Sequence, residues 1–153
     1  VPELTFISPR IMAFPASPYE ETGGLYYFPR MMSKIRLHAA GQLPEVYHPY
    51  LERGYNLWLC DYLGVRYPDL ARVAIEGNLS NEEALQWCYD HGRGPLSAIQ
   101  IKIWNAFAEQ RGRKDDRTES LQKEIEASGL TGRGIETNFD LFLAEEGHPA
   151  PTR

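Results

Sequence analysis

A chain of 153 residues with 42% hydrophobic and 24% charged content suits one globular domain, able to bury roughly 70% of the surface its unfolded form exposes. Its formal charge of −5 weighs against nucleic acid or an anionic lipid surface as a partner. No apolar run approaches the ~20 residues of a membrane-spanning helix, so no membrane insertion is expected, and "VPELTFISPR" lacks the basic and apolar parts of a secretory leader.

Residues 1–24 carry Pro2, Pro9, Pro15 and Pro18 before Gly23-Gly24, a density that forbids a long helix. They predict an extended, Pro-rich N-terminal arm. Phe6, Ile7, Ile11, Met12 and Phe14 would anchor it, either on this domain or on a partner or second copy. Residues 25–147 then read as a helical domain, and residues 148–153 as a frayed tail. Pro29 suits a first helical turn, Gly41 a stop, and Phe28, Met31, Met32, Ile35 and Ala39 share one face at ~100° per residue. The loop "GQLPEVYHPYLERG" is too rich in Pro and Gly for regular structure. "YNLWLCDYLGV" predicts a short helix ending at Gly64, and "YPDLARVAIEGN" another that starts near Pro68.

Ser80 followed by Glu83 marks a capping box at the start of the next helix, which Gly92 closes. Leu96, Ile99, Ile103 and Phe107 form the longest apolar stripe in the chain and predict the central helix. "KDDRTESLQKEIEASGL" offers only Leu121 and Ile125 to a core, with a Schellman ending at Gly129-Leu130, and Thr137 caps a last helix bearing Phe139, Phe142 and Leu143. No run of alternating strands stands out. The expected fold is all-α: a single compact domain of about six or seven short helices with the arm leading it.

Four pieces together, "SPYEETGGLYYFPRMMSKIRLHAAGQLPEVYHPYL", "EEALQWCYDHGR", "IQIKIWNAF" and "IETNFDLFLAEEG", resemble the bacterial domain-of-unknown-function family 5069 over about Ser17 to Gly147. The most specific piece runs from Gly23 to Tyr47-His48. The resemblance implies a compact cytoplasmic fold and supplies no reaction. The chain differs from the family pattern at Asn56, where an aspartate is common, and at "GRKDD", Gly112 to Asp116, where a "GW-N-D" turn is usual.

The segment "FPRMMSKIRLHAAG" gathers Arg30, Lys34, Arg36 and His38 on one helix. The plain reading is a set of long cations running along the core boundary with their charged heads in water. The functional reading is an anion site, in which Arg30, Lys34 and His38 bind a small carboxylate. Tyr47 and His48 follow in the next loop. They could form an acid/base pair over a substrate fixed by Arg30 and Lys34, or His48 could simply hold the turn by bonding a backbone carbonyl.

His38, His48, Glu45 and Asp61 match no metal-ligand spacing, and no CxxC, HExxH or GxxxxGK[ST] motif occurs, so neither a metal nor a cofactor is expected. Cys60 and Cys88 lie in apolar helices and read as reduced, packed thiols. Trp58, Trp87 and Trp104 with nine tyrosines read mostly as core, though a few of them beside Arg30 and His48 could line a pocket for a planar ligand. Two functions follow. One is a module that binds a small anionic or aromatic ligand, or a protein through its arm. The other is a small cofactor-free enzyme doing acid/base chemistry on a carboxylate-bearing substrate.

Overall fold

The structure, a computed structural model, describes residues 11–152. The arm's first ten residues, including Phe6 and Ile7, lie outside the described residues. In chain order the elements are β1 (Glu21–Thr22), β2 (Leu25–Tyr26), α1 (Phe28–Ala39), a 3₁₀ turn (Glu45–Tyr50), α2 (Tyr55–Leu63), α3 (Tyr67–Glu76), α4 (Asn81–His91), α5 (Ala98–Gln110), α6 (Thr118–Ala127) and α7 (Asn138–Glu146). The fold is therefore mostly helical, with seven α-helices among the described residues.

Two corrections to the sequence reading are local. Residues 21–26 form a small antiparallel ribbon, with Glu21 opposite Tyr26 and Thr22 opposite Leu25. Gly23 and Gly24 make its tip at φ 56° and 83°, the pair of positive dihedrals that a tight two-residue hairpin requires. Four residues in strands are too few to show alternation. The loop after α1 also contains regular structure, since Pro49 sits within the 3₁₀ turn without breaking it.

The helix boundaries follow their sequence signals. Ser80 accepts a hydrogen bond from the Glu83 amide while Glu83 accepts one from the Ser80 amide; Ser97 with Gln100 and Thr137 with Asp140 do the same for α5 and α7. At the end of α6 the amides of Gly129 and Leu130 return to the carbonyls of Glu126 and Ile125, a complete Schellman pair.

The larger correction concerns which helix is central. α1 packs against α3, α4 and β1, and Phe28, Met31 and Met32 are fully buried. The stripe on α5 faces the other way: Ile99, Ile103 and Phe107 are 62%, 57% and 45% exposed. The reason lies on the opposite side of that helix. Asn105 Oδ1 accepts from the Tyr26 amide, Asn105 Nδ2 donates to the Gly24 carbonyl, and Trp104 Nε1 donates to the Tyr26 carbonyl, each at 2.9 Å. These bonds satisfy the open edge of the ribbon. They turn Trp104 and Ala108 into the core, and helical spacing sends Ile99, Ile103 and Phe107 outward.

The described part of the arm is held by its prolines and backbone. Pro15 and Pro18 are buried, the Ala13 amide donates to the Gln42 carbonyl, and the Ala16 amide donates to Ser33 Oγ. Ile11, Met12 and Phe14 are exposed, so they do not anchor it on this domain. Cys60 and Cys88 are free and buried, and burial pushes both thiols up to about 12.

Candidate functional site

α1 places Arg30 and Lys34 one turn apart on the same side. Both are buried, at 0% and 5% exposure. That is unusual for long cations, and their partners explain it differently. Arg30 Nη1 and Nη2 donate to the two oxygens of Glu146 at 2.6 and 2.7 Å, a bidentate pair at the end of α7. Arg30 also donates to the Ala16 carbonyl at 3.1 Å, and its guanidinium lies 4.5 Å from the Phe142 ring centroid. Burial disfavours its charge, but the hydrogen bonds it donates to Glu146 and the surrounding oxygens outweigh this and raise its pKa.

Glu146 accepts from two further groups: the Tyr47 hydroxyl at 2.6 Å, and His148 Nε2 at 3.1 Å, a nitrogen that also reaches the Pro15 carbonyl at 2.9 Å. A carboxylate at a helix C-terminus meets an unfavourable helix dipole. The Arg30 fork and the Tyr47 hydroxyl offset that. Burial first, then the bond to Glu146, pushes the Tyr47 phenol well above its ordinary value.

Lys34 has no such pairing. Its Nζ donates to the Tyr27 hydroxyl at 2.8 Å and lies 5.3 and 5.9 Å from the ring centroids of Tyr27 and Tyr47. Among the described residues no carboxylate comes within ion-pair distance of it. Burial pulls its pKa below the ordinary lysine value; the Tyr27 oxygen opposes that shift and the Arg30 charge adds to it. Tyr27 itself holds a left-handed backbone at φ 73°, a conformation that costs a bulky L-residue energy and tends to occur where structure serves a site.

These side chains border a cleft of about 520 Å³ between α1, the 3₁₀ turn, α2, α6 and α7. Tyr55 and Trp58 on α2 form an aromatic wall with ring centroids 5.3 Å apart, and Tyr55 is fixed through its hydroxyl, which donates to the Ala108 carbonyl at 2.9 Å. Phe142 and Leu141 supply the apolar side contributed by α7. Four basic side chains line the cleft, Arg30, Lys34, Arg53 and Arg117, against three carboxylates, Glu124, Glu145 and Glu146. Arg30 pairs with Glu146 and Arg117 with Glu124 at 2.8 Å. Partial burial, with Glu146 and Glu124 nearby, raises the pKa of Glu145.

The structure thus brings together three of the five residues singled out from the sequence: Arg30, Lys34 and Tyr47. His48 and His38 lie outside the cleft lining. Both are exposed; their rings meet edge to face at 4.9 Å, and His48 Nε2 bonds the Leu43 carbonyl at 2.9 Å. Among the described residues no group of three His, Cys, Asp or Glu side chains is gathered as metal ligands. The sequence reading missed Glu146, Tyr27 and Tyr55. Only one signal pointed toward Glu146: "AEEG" is an acidic run without local counterions, as α1 is a basic segment without local carboxylates.

A small helical domain with a semi-enclosed, aromatic-walled cleft and buried cations is the class that the fold and site define. The sequence matches the profile of a domain of unknown function, DUF5069, over residues 12–148, and the chain belongs to that family. No curated protein matches it. The described helices include none long and apolar enough to cross a membrane. Asn56 is fully buried, and its Nδ2 donates to the Leu51 carbonyl at 3.0 Å. An ionised aspartate could not donate that bond.

Proposed function

We propose that the cleft binds a small ligand that combines a carboxylate with an aromatic or flat apolar body. The observation that carries this reading is Lys34: a buried amine at the cleft wall with no carboxylate within ion-pair distance among the described residues. Burying a cation without a counter-ion is costly, and an anion entering beside Tyr27 would supply the missing partner. Tyr55, Trp58 and Phe142 line the cleft beside it, in keeping with ligand sites that are mostly apolar with few polar anchors. Arg30 takes a supporting part, since Glu146 already satisfies its fork and holds it in place beside Lys34.

An acid/base enzyme using Tyr47 with His48 gains less support, because the His48 nitrogen that bonds Leu43 lies away from the cleft. Titration calorimetry with benzoate tests the binding reading. The expected result is saturable binding that Lys34→Met weakens by at least about tenfold, or ~1.4 kcal/mol. Equal affinity in both proteins, or no heat in either, would overturn it.

A further inference from the structure

We propose that Lys34 is a covalent site, whose amine condenses with the carbonyl group of an aldehyde or ketone that also bears a carboxylate and a flat apolar body. The inference rests on the binding reading above and names the reactive part of the ligand.

Three features of the surroundings suit an amine nucleophile. First, among the described residues no carboxylate lies within ion-pair distance of Nζ to hold it as an ammonium ion, and its hydrogen bond runs to the Tyr27 hydroxyl at 2.8 Å. A phenol oxygen accepts from the ammonium form and donates to the free amine, so the same contact serves both protonation states. Second, Arg30 stands one turn away on the same helix face and keeps its charge through Glu146, placing a permanent cation beside the amine. Desolvation next to another cation is the established way to free a lysine for attack at neutral pH, and burial and Arg30 both pull Lys34 in that direction. Third, the amine opens on a cleft of about 520 Å³, large enough for a ring-sized carbonyl compound.

The reaction needs no co-reactant. The neutral amine adds to the carbonyl carbon as the C=O π pair moves to oxygen. The two hydrogens of the amine then leave with that oxygen as water while the nitrogen lone pair closes the C=N bond. One carbonyl compound and one amine give one imine and one water. The Tyr27 hydroxyl is placed to pass a proton at Nζ, and the Tyr47 hydroxyl lies on the same cleft wall.

The test is reductive trapping in the intact protein. The chain has four lysines, and Lys102, Lys114 and Lys123 are exposed internal controls. Incubation with 4-carboxybenzaldehyde and cyanoborohydride at pH 7.5, followed by peptide mass mapping, should modify Lys34 at least about tenfold faster than any other lysine. Excess benzoate should suppress labelling at Lys34 and spare the controls. Labelling confined to the three exposed lysines, with benzoate still bound in a Lys34-dependent way, would overturn the covalent site and leave the binding reading intact. Labelling confined to them without benzoate binding would remove both.

Discussion

Helices α1 and α5 are inside out with respect to each other. α1 carries three cations and a histidine in twelve residues, yet Arg30 is completely buried and Lys34 nearly so. α5 carries the longest apolar stripe in the chain, yet Ile99, Ile103 and Phe107 face solvent. Side-chain hydrophobicity alone assigns both helices to the wrong place. Partners decide the matter: Arg30 goes inside because Glu146 is waiting with both oxygens, and α5 turns its Asn105–Trp104 side inward because the ribbon edge needs hydrogen-bond partners. The outer side of α5 borders a shallow hollow with Trp58 and Tyr62, where no buried charge is present. The buried charges line the cleft beside α1 instead.

The contrast can be broken at its strongest link. Glu146→Gln keeps the shape of the side chain but leaves the Arg30 charge buried without its anion, and should destabilise the fold by about 3–5 kcal/mol in urea melts. A loss below ~1 kcal/mol would mean that Arg30 finds water or another carboxylate.

Lys34→Met acts in the opposite direction. Removing an unpaired buried cation while keeping the volume should stabilise the protein by roughly 1–2 kcal/mol near neutral pH. The sign follows from the direction of the shift. A lysine whose folded pKa lies below the unfolded 10.5 weakens the fold most where both states carry the charge, and the penalty fades as pH rises from the folded pKa towards 10.5. The gain from Lys34→Met should therefore shrink over that window. Tyr27, Arg30, Tyr47 and Glu146 are the groups that face Lys34.

Tyr47→Phe deletes one bond to a carboxylate that still holds Arg30, so a loss of about 1 kcal/mol is expected. The smallest effect belongs to α5: Ile103→Gln should change stability by no more than about 0.5 kcal/mol. A core-sized loss of about 2 kcal/mol or more would show that the stripe is covered in solution.

Much of the fold is legible in the residues themselves. Capping boxes, the Schellman ending and the glycine stops are local devices, written within four or five positions, and helix boundaries follow from them. The ribbon at residues 21–26 and the facing of α5 are not local, because Asn105 reads as a mid-helix polar residue until the ribbon edge is in view. The site is divided in the same way. Arg30, Lys34 and Tyr47 are legible because they cluster within eighteen positions, whereas Glu146 lies 116 residues from Arg30 and is tied to it only through the fold. His38 and His48 share the cluster in sequence but leave the cleft in space. His38 sits in the last turn of α1, and His48 turns to the Leu43 carbonyl.

The central claim, that Lys34 is a buried amine without an ion-pair partner among the described residues, is tested most directly by titrating the lysine side chains by NMR with carbon-13 at Cε, where four lysines give four signals. The account predicts that Lys34 loses its proton below the ordinary lysine value of about 10.4 and that added benzoate moves this titration upward. A Lys34 signal that titrates at or above that value in the free protein, unmoved by benzoate, would contradict it.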